Sequence, residues 1–255
     1  ISTICSPPAG SDVTTAGAFP PPAIVPADRR SAHLGDRVQT RPIGDPGNFP
    51  EHDTATMSET TEPGGYFVSN YPPFSRWSEA AVPDVLAAFD APATAAALGL
   101  YLHVPFCRKR CKFCYFRVYT DVAAADVERY SHALAHEAAL AAARPAVAGR
   151  TLRYVYFGGG TPSFLSVKQL ERLVAGLHRS FGWDDAEEVT FECEPGTLSE
   201  PKIKALKALG MTRISLGVEN FDDVILETNG RAHLSAEILR AWDWIKAADF
   251  PNTNI

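Results

Sequence analysis

Tyr101-Leu-His-Val-Pro-Phe-Cys107-Arg-Lys-Arg-Cys111-Lys-Phe-Cys114 holds three thiols within eight residues, spaced Cys-x3-Cys-x2-Cys. Spacings this short let neighbouring thiolates converge on one centre, and thiolates suit zinc, Cu(I) and iron–sulfur clusters. A structural zinc site is closed by four ligands, and the sequence offers no obvious fourth. A four-iron cluster held by three cysteines leaves one iron open to a small molecule.

The surroundings narrow the setting of this loop. The chain has 255 residues, 45% hydrophobic and 21% charged, an ordinary globular composition with room for one large domain or two small ones. A net charge of −6 supplies no global basic field and argues against a nucleic-acid partner. No apolar run has the length of a membrane span, and no secretory pattern opens the chain. The five cysteines (Cys5, Cys107, Cys111, Cys114 and Cys193) are odd in number and clustered, which disfavours a disulfide framework. A reducing cytoplasmic location is therefore expected.

Residues 1–56 hold nine of the 20 prolines and no sustained apolar period, so this segment is expected to be disordered or upstream of the true start. Residues 57–98 read as an ordered lead-in, with Tyr66, Phe67, Tyr71, Phe74 and Trp77 packing on the main domain. A short helix is expected over Trp77 to Phe89, interrupted near Pro83. From residue 99 strand and helix signals alternate. Strands are expected at Leu100 to Val104, Arg153 to Phe157, Glu188 to Cys193 and Arg213 to Gly217, and a fifth opens at Thr253 to Ile255.

Between them lies a helix over Asp126 to Ala143, its inner face Val127, Tyr130, Leu134, Ala138 and Ala141. A second runs from a Ser166/Gln169 capping box, with Val167, Leu170, Leu173, Val174 and Leu177 inside. A third spans Lys202 to Leu209 and stops at Gly210. A short helix over Asp222 to Glu227 precedes one capped by Ser235, with Ile238, Leu239, Trp242 and Ile245 inside. Such alternation predicts an α/β fold, a parallel sheet with outer helices curled into a partial (β/α) barrel. Barrel active sites sit at the C-terminal ends of the strands, and the cysteine loop, Gly158-Gly159-Gly160-Thr161-Pro162, Phe191-Glu192-Cys193-Glu194-Pro195-Gly196 and Ser215-Leu216-Gly217-Val218-Glu219 all fall there.

The spacing Cys-x3-Cys-x-aromatic-Cys, with Phe113 as the aromatic, resembles the signature of the radical S-adenosylmethionine (SAM) enzymes. Its lead-in from Tyr101 to Phe106 resembles the oxygen-independent coproporphyrinogen III oxidase family, with its heme chaperone and methyltransferase relatives. The resemblance runs from Tyr101 to Arg231. It implies a core of six strand–helix units. The chain offers about four and the start of a fifth, so residues 99–255 are expected to be an incomplete radical SAM core.

The resemblance implies a 4Fe–4S cluster on Cys107, Cys111 and Cys114, SAM on the open iron, and a 5′-deoxyadenosyl radical made with one electron from a cellular reductant. It implies SAM contacts at Tyr101, Phe113, Gly158, Gly159, Gly160, Thr161, Glu192, Glu219 and Arg231. The glycines let backbone approach a ligand. Glu192 suits ribose hydroxyls, and Arg231 suits the SAM carboxylate. Glu194 stands where the family varies, and Glu219 where it usually carries Gln, which replaces a donor–acceptor by an acceptor. Arg108, Lys109, Arg110 and Lys112 offset thiolate charge or face solvent.

His103 shares a strand face with Tyr101, and either contacts the cofactors or packs. Cys193, alternating with Glu192, reads as a small buried apolar residue. His132, His136, His178 and His233 show no metal-ligand spacing and are expected at the surface or in loops.

The coproporphyrinogen oxidases proper carry a further cysteine two positions after the third, where this chain has Phe116. Three readings stand: a radical SAM enzyme acting on a small organic, porphyrin-related or other, substrate; a heme chaperone; and a structural zinc module. Met57, followed by Ser-Glu-Thr-Thr, is expected to be the translation start. Mass analysis of the native N-terminus checks this, and a mature terminus upstream of Met57 refutes it.

Overall fold

A computed structural model of the chain describes residues 3–5 (backbone only), 78–114 and 116–255. The expectations for Met57 and for the aromatics of 66–77 lie outside the described residues, as does most of the segment expected to be disordered.

Five strands run parallel in chain order: β2 (Gly99–Val104), β3 (Tyr154–Gly159), β4 (Glu188–Cys193), β5 (Arg213–Leu216) and β6 (Asn252–Asn254). A short strand β1 (Thr3–Cys5) pairs antiparallel with β2 at the sheet edge. Helices α2 (Ala124–Ala142), α3 (Val167–His178), α4 (Glu200–Ala208), α5 (Asp223–Thr228) and α6 (Ser235–Ala248) form the crossovers, and α1 (Val82–Asp90) precedes β2. Sequential order with helical crossovers is that of a (β/α) barrel wall, since a doubly wound sheet reverses its strand order midway. No helix among the described residues is long and apolar enough to cross a membrane.

Period-two alternation divides the sheet into two chemically distinct faces. Leu100, Leu102, Val104, Val155, Phe157, Val189, Phe191, Cys193, Ile214 and Leu216 are all buried, toward the apolar stripes of the helices. Those stripes are Val127, Leu134 and Ala138 of α2, Leu170, Leu173, Val174 and Leu177 of α3, Ile203 and Leu206 of α4, and Ile238, Ala241 and Ile245 of α6. The opposite face carries Tyr101, His103, Tyr154, Tyr156, Glu188, Glu192, Arg213, Ser215 and Asn254. Its polar groups bond to one another: Arg213 donates to Glu188 (3.2 Å) and Asn254 (2.9 Å), and Asn254 to Ser215 (3.0 Å). A barrel wall has this character, one face packed on helices and the other lining an interior.

Three local expectations are corrected. Pro83 does not interrupt a helix but sits in the first turn of α1, where the missing N–H costs nothing; Glu79–Ala81 form a separate 3-10 turn. Ser235 is not a cap. It is the first residue of α6, and its amide donates to Asp223 Oδ1 at 2.7 Å. Leu239 is 57% exposed, because the core line through Ile238, Ala241 and Ile245 leaves it one helical step away. The Ser166/Gln169 capping box forms as expected, and Gly210 takes a left-handed φ of 84° after α4.

Candidate functional site

The cysteine loop leaves β2 through Pro105 and Phe106 and is closed at its base by two backbone bonds. Tyr119 N–H donates to Pro105 O (2.9 Å), and Cys107 N–H donates to Tyr119 O (3.1 Å). Phe106 anchors this base with its ring edge-on to Tyr130 and 5.9 Å from Phe164. Within the loop Cys114 N–H donates to Cys111 O (3.1 Å), a tight turn that folds the last two cysteines back on each other. Cys107, Cys111 and Cys114 are free and half-buried.

Two side chains from elsewhere reach these sulfurs. Thr161 Oγ1 donates to Cys107 Sγ, and Arg231 Nη1 donates to Cys111 Sγ, each at 3.3 Å. Burial pushes the Cys107 thiol up, the Thr161 hydroxyl opposes this, and the nearby Cys114, Cys111 and Glu194 add to the rise. Among the described residues, no group of three His, Cys, Asp or Glu side chains converges on a single-ion position.

The glycine run answers to packing as much as to any ligand. Gly158 and Gly159 belong to β3 and pair with His103 and Val104. A Cβ on Gly158 would lie 2.7 Å from the Tyr156 ring and 3.0 Å from Tyr101. On Gly159, whose φ is 113°, it would lie 2.8 Å from the His103 ring. On Gly160 it would meet Cys107 Sγ, Phe106 O and the Pro105 carbonyl carbon, all at 3.0 Å. The cysteine loop thus lies directly against backbone.

Glu192 ends the polar face of β4 as expected. Tyr156 Oη donates to its Oε1 at 2.6 Å. Burial raises the Glu192 carboxyl, while the Tyr156 hydroxyl and the Gly159 amide hold it down. Tyr156 also stacks on Tyr101, with centroids 5.8 Å apart, so it joins two of the expected site residues. Sequence reasoning passed over Tyr156; its period-two step from Gly158 toward the polar face was the available signal. Tyr101 Oη is 3.2 Å from His103 Nδ1, and burial lowers the basicity of His103.

Arg231 is brought to the same place from the turn after α5. Lys112 N–H donates to Asn229 O (2.9 Å), which ties that turn to the cysteine loop. The guanidinium lies 6.0 Å from the Phe113 ring centroid, and Nη2 donates to Gly217 O at 2.5 Å. Glu219 Oε1 is 3.9 Å from Arg231 Nη1; Arg231 is 11% exposed and Glu219 51%. Glu219 has a φ of 65°, a left-handed conformation uncommon for a non-glycine residue. Arg231 Nε is buried without a hydrogen-bond partner, as is Glu194 Oε2.

The four histidines lie at the surface or in a loop, as expected, and one of them is buried. His132, His136 and His178 are exposed, but His233 is 1% exposed, with Nδ1 2.6 Å from Glu194 Oε1. A buried acceptor supplied by another strand end made this contact, and no local spacing could signal it. Cys193 is buried as expected, and burial raises its thiol.

The profile of the Radical SAM superfamily matches residues 101–255. Among curated proteins, the chain is 35% identical over 155 residues to the heme chaperone HemW of Lactococcus lactis subsp. lactis, covering 61% of this chain and 39% of that protein. It is 33% identical over 159 residues to the oxygen-independent coproporphyrinogen III oxidase of Synechocystis sp., covering 62% and 34%. The solved structure of coproporphyrinogen III oxidase (HemN) from Escherichia coli, a radical SAM enzyme, superposes with a TM-score of 0.61 at 28% identity, covering 74% of this chain and 43% of that one. The chain therefore spans less than half the length of these relatives.

Gly160→Ala is expected to destabilise the fold by about 1–3 kcal/mol, because two of the three atoms its methyl would meet are backbone and cannot swing aside. Gly182→Ala is the control, with nothing within 4 Å of its Cβ position. Denaturant unfolding of the two variants checks this, and equal stability contradicts it.

Proposed function

This chain belongs to the radical SAM superfamily, whose cofactors are a 4Fe–4S cluster and SAM, and from that membership we propose that Cys107, Cys111 and Cys114 hold the cluster while Arg231, Glu192, Glu219, Tyr101, Phe113 and the Gly158–Thr161 turn hold SAM beside it. The observation that carries the proposal is the bond from Arg231 Nη1 to Cys111 Sγ, which joins a thiol to a guanidinium 120 residues away.

The residues fit these groups in three respects. The donor set is three half-buried thiols in one strand-end loop, a set suited to an iron–sulfur cluster with one open iron. Arg231 Nε is a buried donor in need of an acceptor, and a carboxylate supplies one. Glu192 offers a carboxylate beside the glycine turn, already oriented by Tyr156.

The chemistry that the bound pair supplies is reductive cleavage of SAM to methionine and a 5′-deoxyadenosyl radical. The chain's own residues bind and orient. Thr161 and Arg231 donate to the sulfurs of Cys107 and Cys111 and so orient them, and at Cys107 the Thr161 bond opposes the rise that burial imposes on the thiol. Arg231 holds its place by donating to Gly217 O, leaving part of its donor fork for a carboxylate. Tyr156 fixes one Glu192 oxygen, so the remaining acceptor positions point to a diol with little reorganisation. The Phe113 ring, itself exposed, lies beside the guanidinium at 6.0 Å, within reach of a cation–π contact. The reaction proposed is radical chemistry on a small organic substrate, porphyrin-related among the options, with a cellular one-electron reductant as partner.

Phe116 favours a second reading. The resemblance associates a cysteine at that position with coproporphyrinogen oxidation, and the relatives include heme chaperones at comparable identity. In that reading the cluster and SAM site are retained, and the protein's output is heme transfer.

Single alanine replacements of Cys107, Cys111 or Cys114 are expected to abolish SAM cleavage and lower bound iron. Arg231→Ala is expected to weaken SAM binding with iron content retained. Iron analysis and equilibrium SAM binding check both; SAM cleavage by the triple cysteine variant, or unchanged SAM affinity in Arg231→Ala, refutes the assignment.

A further inference from the structure

We propose that His233 and Glu194 are a buried positioning pair that sets the Arg231 guanidinium against the cysteine loop, a role that rests on the reading of Arg231 as a SAM contact. His233 is one of five buried polar residues among those described. Its ring is held at both nitrogens: Nδ1 lies 2.6 Å from Glu194 Oε1, and Nε2 lies 3.4 Å from Val218 O. Two residues earlier, Arg231 Nη2 donates to Gly217 O. The imidazole and the guanidinium are thus docked, from one loop, on consecutive carbonyls of the segment after β5. Fixing the first restricts where the second can point.

Glu194 is itself immobilised. Its Oε1 accepts from Gly196 N–H (3.0 Å), and its own amide donates to Ser163 Oγ (2.9 Å). Burial alone would raise its carboxyl, but the His233 bond, the Gly196 amide and the charges of His233 and Arg108 outweigh this and keep it lowered, as a paired carboxylate. The next link runs to the cluster loop, since Arg108, adjacent to Cys107, donates to Gly196 O at 2.6 Å.

Three segments therefore meet at Gly196: the end of β4, the loop of Cys107 and the loop of Arg231. A Cβ on Gly196 would meet Arg108 Nη1, Glu194 Oε1 at 3.1 Å and Ala232 O at 3.3 Å, so a side chain there would turn the Arg108 guanidinium aside and press on the other two. The His233 side chain is 0% exposed and that of Glu194 12%. Neither presents a surface to a ligand, and both act through Arg231 and Arg108. Partners that orient metal-ligating side chains are worth about 10- to 100-fold in affinity or activity, and a loss on that scale is expected for the pair that orients Arg231.

The test uses full-length protein reconstituted anaerobically with iron and sulfide, with SAM affinity, bound iron and melting temperature measured for each variant. His233→Ala is expected to bind SAM about 10- to 100-fold more weakly with near wild-type iron. His233→Asn, whose amide can still donate to Glu194, is expected to recover most of the affinity. Gly196→Ala, which keeps both partners but crowds Glu194 Oε1 and the Ala232 carbonyl and displaces Arg108, is expected to weaken SAM binding as His233→Ala does. Wild-type affinity in both His233→Ala and Gly196→Ala overturns the proposal. So does an affinity in His233→Asn as low as in His233→Ala, because the loss then follows packing and not the donated bond. Failure of the wild-type protein to bind SAM overturns the underlying site, and this proposal with it.

Discussion

Contact of the cysteine loop with bare backbone at the end of β3 is the constraint on which the site depends. Gly160 leaves room for Cys107 Sγ and for the Phe106 carbonyl, and Thr161 then donates to that same sulfur. Any side chain at residue 160 would move the loop, and with it the turn that carries Cys111 and Cys114. The opposite wall is supplied by the 229–231 turn, bonded to Lys112 N–H and, through Arg231, to Cys111 Sγ. The end of β3 and the turn after α5, the latter anchored through Arg231 to Gly217 just beyond β5, thus grip one loop, and the sheet that spaces β3 from β5 makes the grip possible.

The sheet does this by separating two chemistries. Its helix-facing side is closely packed and apolar, which gives the strands a fixed register from Gly99 paired with Tyr154 through to Ser215 paired with Asn254. The other side is polar, with tyrosine, carboxylate and arginine groups bonded across strands. Side chains on that side, Tyr101, Tyr156 and Glu192, lead up to the same rim as the cysteines. A rigid apolar layer holding an organised polar layer places groups from five segments at one rim without relying on loop rigidity.

Much of this was legible in the sequence. The strands, α2, α3 and the short α5 follow from apolar periodicity and cap residues, and the gathering of the four motifs at strand ends follows from the order of elements. Less legible were features set by contacts between distant segments. Leu239 was assigned inward because it is apolar, although geometry turns it to solvent. His233 lies in a loop, one of the two expected places, but its burial went unread because no spacing rule marks a histidine whose partner, Glu194, lies at a strand end. Tyr156 was passed over because its role depends on a carboxylate in the neighbouring strand. The glycine run was read for ligand approach, yet each of its three glycines is also required by a side chain or backbone of the β2 segment. Local pattern reports what a residue contributes to its own element; it is silent about which distant group will need the space.

The most direct test of the central claim is production of 5′-deoxyadenosine from SAM by the anaerobically reconstituted, chemically reduced full-length protein. Product is expected from the wild-type protein and none when Cys107, Cys111 and Cys114 are all replaced by alanine. Wild-type protein that binds a full cluster yet yields no 5′-deoxyadenosine would contradict radical chemistry as the function and move the weight to heme handling. Failure to assemble a cluster at all would contradict the assignment of the three cysteines.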